Sequence, residues 1–300
     1  MIDELAIRLR ARQFMAGLDL SNIDKDLSVY TGKVNAKLTT EEMGDGESGY
    51  TLTRRNGKSS IVVNELERLE RQRFSACHEV GHLVLGLASN HQDTPAWSYA
   101  KRDDNEIACD IFASELLMPF EAFKLDVDQE EPSFELVERL RAQYVVSFAA
   151  CASRLAAVTD YPCAFIFMNS AVVRYASRSK ALRDLNAWVE MRAPIPSGSV
   201  ACRLIQEGEW SGEDSRVSQD LWFRDWPKGY ELTELAKHYP TFEETFSLVW
   251  FEQDSGPDEP VKNWSGTPAQ MDDDGLKELD GMLDFHKRSK RRWGLGRSGT

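Results

Sequence analysis

Three hundred residues suffice for two packed domains and exceed any disulfide-stapled miniprotein. With 42% hydrophobic and 28% charged residues the composition is that of a soluble chain, and no apolar run approaches the roughly 18 residues of a membrane-spanning helix. Net charge is −13, yet Lys287, Arg288, Lys290, Arg291, Arg292 and Arg297 crowd an acid-free C-terminus, so the rest stands at −19 without those six cations. Such a body repels phosphate backbones, which argues against general nucleic-acid binding outside the tail.

The N-terminal MIDELAIRLRARQF lacks the apolar stretch of a secretory signal. The cysteines, Cys77, Cys109, Cys151, Cys163 and Cys202, are odd in number, scattered and without a CxxC pair. Both features predict a cytoplasmic protein with reduced, buried thiols.

Apolar residues recur at helical spacing from Leu5 to Leu18, and the chain then turns polar and Gly-rich through Gly49. Tyr50 to Thr53, a turn at Asn56-Gly57, and Ile61 to Val63 predict a hairpin, because Asn-Gly supports the positive φ angles of a type I′ turn. A long helix is predicted from Glu65 to Leu87 and a second from Asp103 to Met118, with acids serving its N-terminal dipole and Pro119 stopping it. Phe134 to Tyr144 and Ser147 to Val158 read as a helix pair, with Ser147 as an N-cap. From Tyr161 the character changes to short strands: CAFIFM and AVVRYA around Asn169-Ser170, DLWF at 220–223, YELTEL at 230–235 and FSLVWF at 246–251, with a helix near Ala181 to Val189. Trp222, Phe223, Trp226 and Trp250 are expected in the core of that second module, and His238 and His286 at the surface. The stretch after Asp254 reads as linker and tail.

The chemistry concentrates in RFSACHEVGHLVLGL, where His78, Glu79 and His82 form HExxH inside an apolar-flanked helix. Histidines at i and i+4 lie one turn apart on one face, so both imidazoles can reach one tetrahedral zinc. Glu79 sits beside the first ligand, placed to act as general base on a water. Gly81 costs about 1 kcal/mol in a helix interior, a cost that fits a close backbone or substrate approach.

A third ligand is required. HExxHxxGxxH is excluded, because Leu85 and Ala88 occupy the positions of its glycine and third histidine. In the next helix Glu106 is favoured, with Asp103, Asp104 and His91 as competitors, and Asp110, one turn on, could accept an imidazole N–H from a ligating histidine. For Asp103 and Asp104 the helix dipole is the preferred explanation.

Together, IVVN and RQRF leading into HEVGH, then ExxxDxFAxELLMP, then a helix pair with Val146-Ser147 and Arg154-Leu155 resemble the ImmA/IrrE family of metallo-endopeptidases over about residues 50 to 157. The chain departs from the common Glu-x-Glu-Ala pattern, having Glu106-Ile107-Ala108-Cys109, which keeps the first glutamate and lacks the second. The resemblance implies an α+β architecture: a thermolysin-like zincin domain over 1–120, a helical HTH-like extension over 121–158, and a C-terminal α/β, GAF-like sensory module over 159–254, then 255–300 as linker and basic tail. It implies zinc held by His78, His82 and Glu106, with Glu79 catalytic, and cleavage of a helix-turn-helix repressor that frees phage, mobile-element or stress-response genes. By fold analogy an extended substrate would pair with the strand near Ile61 to Val63, and Tyr50, Tyr144 and His91 are candidate oxyanion donors. Two other readings are a DNA-binding regulator with a non-catalytic zinc site, and the toxin of a toxin-antitoxin pair. The first is weakened because SFAACASRLAAV offers Arg154 as its only cation.

Overall fold

A computed structural model describes residues 3–44, 47–88, 103–128, 130–210, 214–223 and 229–252. His91, Trp226, His286 and the 255–300 tail lie outside them. Among the described residues no helix is long and apolar enough to cross a membrane.

The architecture is mixed α+β with two sheets. Helix α1 (Glu4–Met15) starts at Asp3, whose carboxylate accepts from Ala6 N–H. The polar, Gly-rich stretch before Gly49 holds two short elements, α2 (Ser28–Lys33) and β1 (Ala36–Glu41). Strand β1 pairs in parallel with β3 (Ser59–Asn64), and β2 (Gly49–Thr53) pairs antiparallel on the other side, giving the order β1-β3-β2. The expected hairpin is present with a different turn. Gly57 has φ +78, Asn56 has no positive φ, and Gly57 N–H returns to the Arg54 carbonyl at 2.9 Å. That is a three-residue loop with glycine in the left-handed position, not a type I′ turn.

Helix α3 (Leu69–Leu85) crosses the sheet, and α4 (Asp104–Leu117) packs along α3. Pro119 ends α4 and opens α5 (Phe120–Val127), a helix the sequence reading left out. The pair α6 (Phe134–Tyr144) and α7 (Phe148–Val158) starts from Ser133 and Ser147 hydroxyls that cap Leu136 and Ala150 N–H groups. Together α1, α4 and α7 converge on Glu115, which is fully buried and meets Arg8, Arg12 and Arg154 at 3.1, 3.0 and 2.7 Å.

The second sheet is antiparallel, built from β4 (Cys163–Asn169), β5 (Val172–Arg178), β6 (Ser215–Ser218), β7 (Glu231–Tyr239) and β8 (Glu244–Trp250) in the order β5-β4-β8-β7-β6. One face, with Ala164, Ile166, Met168 and Val249, packs with α8 (Lys180–Asp184) and α9 (Val200–Glu207). The other face, with Phe165, Phe167, Phe246 and Leu248, joins the core of the N-terminal helices through α7. DLWF is not a strand: Gln219–Leu221 form a 3-10 turn, and Trp222 is buried with its indole N–H donating to Glu234 at 3.1 Å. Trp222 and Phe223 lie in the second module's own core, as expected, whereas Trp250 is buried on the face shared with the N-terminal helices. His238 is not at the surface; it is buried on β7 with Nδ1 at 2.9 Å from Thr245 Oγ1.

Candidate metal centre

Helix α3 delivers His78, Glu79 and His82 into the interior, where they are 6%, 1% and 5% exposed. Groups this polar persist in a core only when partnered. His78 Nδ1 lies 2.8 Å from Asp110 Oδ1, and His82 Nδ1 lies 3.2 Å from the Leu87 carbonyl. The second contact depends on Gly86, which ends α3 at φ +68 and folds the chain back so that Gly86 and Leu87 N–H both reach the His82 carbonyl. Each ring therefore has its Nδ1 directed at an acceptor and its Nε2 turned toward the other ring, the two Nε2 atoms being 3.0 Å apart.

Helix α4 supplies the carboxylates. Glu106 Oε2 is 3.0 Å from His78 Nε2 and Oε1 is 3.5 Å from His82 Nε2. This close approach of helices is possible because of Gly81: a Cβ there would lie 3.3 Å from Cys109 Cα. The reading of Gly81 as a close-approach position fits, with the backbone of α4 as the neighbour. Asp103 caps α4, accepting from Asn105 N–H at 2.9 Å, and Asp104 opens its first turn, the positions the helix dipole favours for acids.

Glu79 sits beside the rings, and ligand atoms of His78, Glu79 and His82 lie within 4.8 Å of one another. Its Oε2 accepts from the Thr51 hydroxyl at 2.7 Å. Sequence reasoning missed Thr51, which β2 lays against α3. Tyr50, the neighbouring residue, is on the opposite face of the strand, its hydroxyl donating to Glu41 at 2.8 Å, and Tyr144 donates to Asp126 at 2.6 Å. Neither contact directs an oxyanion donor at the cluster. The pairing of substrate with Ile61 to Val63 is also excluded, because β3 is the central strand with both edges taken.

The cluster fits a cation. Burial pulls the His78 imidazole down, but hydrogen bonds to Asp110 and Glu106 outweigh it and lift the ring to about 9, so these carboxylates favour positive charge between them. Two Nε2 atoms and one carboxylate are a zinc-type donor set, each ring held through its other nitrogen.

No curated protein matches this chain. Among solved structures, a Mycobacterium tuberculosis transcriptional regulator aligns with a TM-score of 0.51 at 10% identity, covering 83% of this chain and 76% of that one. At that identity the likeness is one of fold. Residues 32–156 match the peptidase M78 family model, described as IrrE N-terminal-like domain. That segment spans β1 to α7 and contains every residue of the cluster, and it is a domain of the ImmA/IrrE metallopeptidase family.

Proposed function

We propose that the protein is a cytoplasmic zinc endopeptidase that cleaves a helix-turn-helix repressor and thereby frees phage, mobile-element or stress-response genes. The observation that carries this reading is the buried pair of imidazoles, each oriented through Nδ1, converging with Glu106 while Glu79 stands alongside. His78, His82 and Glu106 hold the metal, and Asp110 fixes the His78 ring. When bound, zinc polarises a scissile carbonyl and acidifies water. Glu79 takes the proton of the attacking water on its carboxylate and delivers it to the leaving amine. Thr51 orients that carboxylate through Oε2. The outer edge of β2, the strand that carries Thr51, takes the extended substrate in place of β3.

In this reading residues 1–120 are the peptidase part, 121–158 the helical extension and 159–254 a GAF-like sensory module, supported by a five-stranded antiparallel sheet with helices on one face. The DNA-binding alternative loses its one cation on α7, since Arg154 is 4% exposed and bound to Glu115 and the Met118 carbonyl.

The test is to incubate the purified chain with the repressor encoded beside its gene, with and without a chelator, next to Glu79→Gln. Zinc near one equivalent and cleavage by the wild type alone are expected. Glu79→Gln should retain zinc and lose at least about a hundredfold in rate. Cleavage that persists in metal-loaded Glu79→Gln would refute the mechanism.

A further inference from the structure

The hydrogen bonds that bracket the β2–β3 pair fix which backbone groups face outward. Asn64 N–H reaches the Ser48 carbonyl at 3.0 Å and Arg54 N–H reaches the Lys58 carbonyl at 2.9 Å, so the even positions of β2 bond to β3. By alternation Gly49, Thr51 and Thr53 turn their N–H and C=O groups to the outer edge. No described strand pairs with that edge. An unpaired edge is a template for an extended chain, and Thr51 at its centre touches Glu79.

Immediately past Thr53 the hairpin tip carries Arg54, Arg55 and Lys58, all exposed and without an ion pair among the described residues. The whole chain is at −13, so the tip is a local reversal of sign at the end of that edge. We propose that the β2 edge and the hairpin tip together select an extended peptide segment with acidic side chains about three residues from the bond presented to Glu79, a spacing of about 10 Å along a strand. The inference rests on the peptidase reading for the fate of the peptide. A nucleic acid is the poorer occupant, because the edge alternates donors with carbonyl acceptors, which repel phosphate, and the surrounding body is acidic.

Binding is measured by fluorescence anisotropy on the full-length, zinc-loaded Glu79→Gln protein. The probes are short labelled peptides of one apolar sequence carrying Asp and Glu, Asn and Gln, or Lys at the chosen positions, with short duplex DNA as a further arm. The acidic peptide should bind about tenfold more tightly than its amide counterpart, and the gap should shrink with salt. The double variant Arg54→Glu, Arg55→Glu, checked for unchanged circular dichroism, should invert the order and favour the Lys peptide. Equal affinities, a preference that survives charge reversal, or no peptide binding would overturn the proposal. So would hairpin-dependent binding of DNA alone. Wild-type protein given the same peptides separates the two readings. Tip-dependent binding without cleavage removes the peptidase and leaves the docking surface, whereas cleavage without an acidic preference does the reverse.

Discussion

Asp110 contacts His78 but is not itself counted among the metal-holding groups, so Asp110→Ala isolates what the orienting contact contributes. The bond to be lost is 2.8 Å long, inside the protein, and has a carboxylate acceptor. Hydrogen bonds to charged groups contribute about 1.5–3 kcal/mol, which at about 1.4 kcal/mol per decade corresponds to roughly 10- to 100-fold in zinc affinity. Without Asp110 the ring can rotate or present the wrong tautomer. Competition against a chromophoric chelator measures the constant directly. Glu106→Ala, which removes a carboxylate 3.0 Å from His78 Nε2, should cost more. Asp104→Ala, which removes a first-turn acid of α4, should leave affinity unchanged and cost on the order of 1 kcal/mol or less in stability. Unchanged affinity in Asp110→Ala, or metal loss in Asp104→Ala, would refute the assignment of orienting and capping roles on α4.

Thr51→Val keeps the β-branched shape and removes the donor to Glu79; we expect kcat to fall by about tenfold with KM little changed, and Thr51→Ser to restore it, in steady-state assays on a cleaved peptide. Gly81→Ala gains about 1 kcal/mol of helix propensity but drives a methyl to 3.3 Å from the Cys109 backbone; a net loss of about 1–2 kcal/mol is expected in urea unfolding, and a gain would show that α4 yields easily. Burial pushes the Glu115 carboxyl up, but Arg154, Arg8 and Arg12 outweigh it and hold it below its usual value of 4.5. Its contribution is therefore present above about 4.5 and is lost as pH falls through the lowered value, so Glu115→Gln should lower Tm near neutrality, by the equivalent of about 3–5 kcal/mol, and flatten the acid limb of the stability profile.

Much of the candidate metal centre is legible in the sequence because it is local. The spacing of His78 and His82 is one helical turn, and Glu106 to Asp110 is one turn of the next helix, so periodicity alone groups each pair on a face. What the spacing could not supply is the join between helices, and there Gly81 is the visible trace. Strand β1 was not legible for a different reason. AKLTTE is short and two-thirds polar, and its partner Ser59–Asn64 is the far strand of the hairpin, paired in parallel, so no local signal marks it. The strand assigned to DLWF was wrong because aromatic residues signal burial before they signal extension. Trp222 is buried through a 3-10 turn, anchored by Glu234. The change to strands at Tyr161 is real as a change of element type, but packing continues across it. On α7, Ser153 meets β5, its hydroxyl beside that of Tyr175 and its carbonyl accepting from Ser177, and Phe148 packs on Phe165 of β4, while Arg154 reaches Glu115.

The hairpin turn shows how one residue decides the site. A two-residue Asn56-Gly57 turn would place Arg55 opposite Lys58 and carry that register down the ladder, setting Tyr50 opposite Val63 and Thr51 opposite Val62. The turn actually spans Arg55 to Gly57, and Thr51 faces Ile61 while Tyr50 faces Val62. Because side chains alternate, that single-residue slip exchanges the two faces of β2. Ile61 and Val63 belong to the core beneath the sheet, so the residue opposite Ile61 is drawn inward with it. Thr51 thus reaches Glu79, and Tyr50 is carried to the outer face, where it bonds Glu41. The same slip chooses which backbone groups of β2 meet the outer edge. Turn chemistry at Gly57, far from the histidines in the sequence, therefore sets both the partner of Glu79, the proposed general base, and the backbone groups that β2 turns outward.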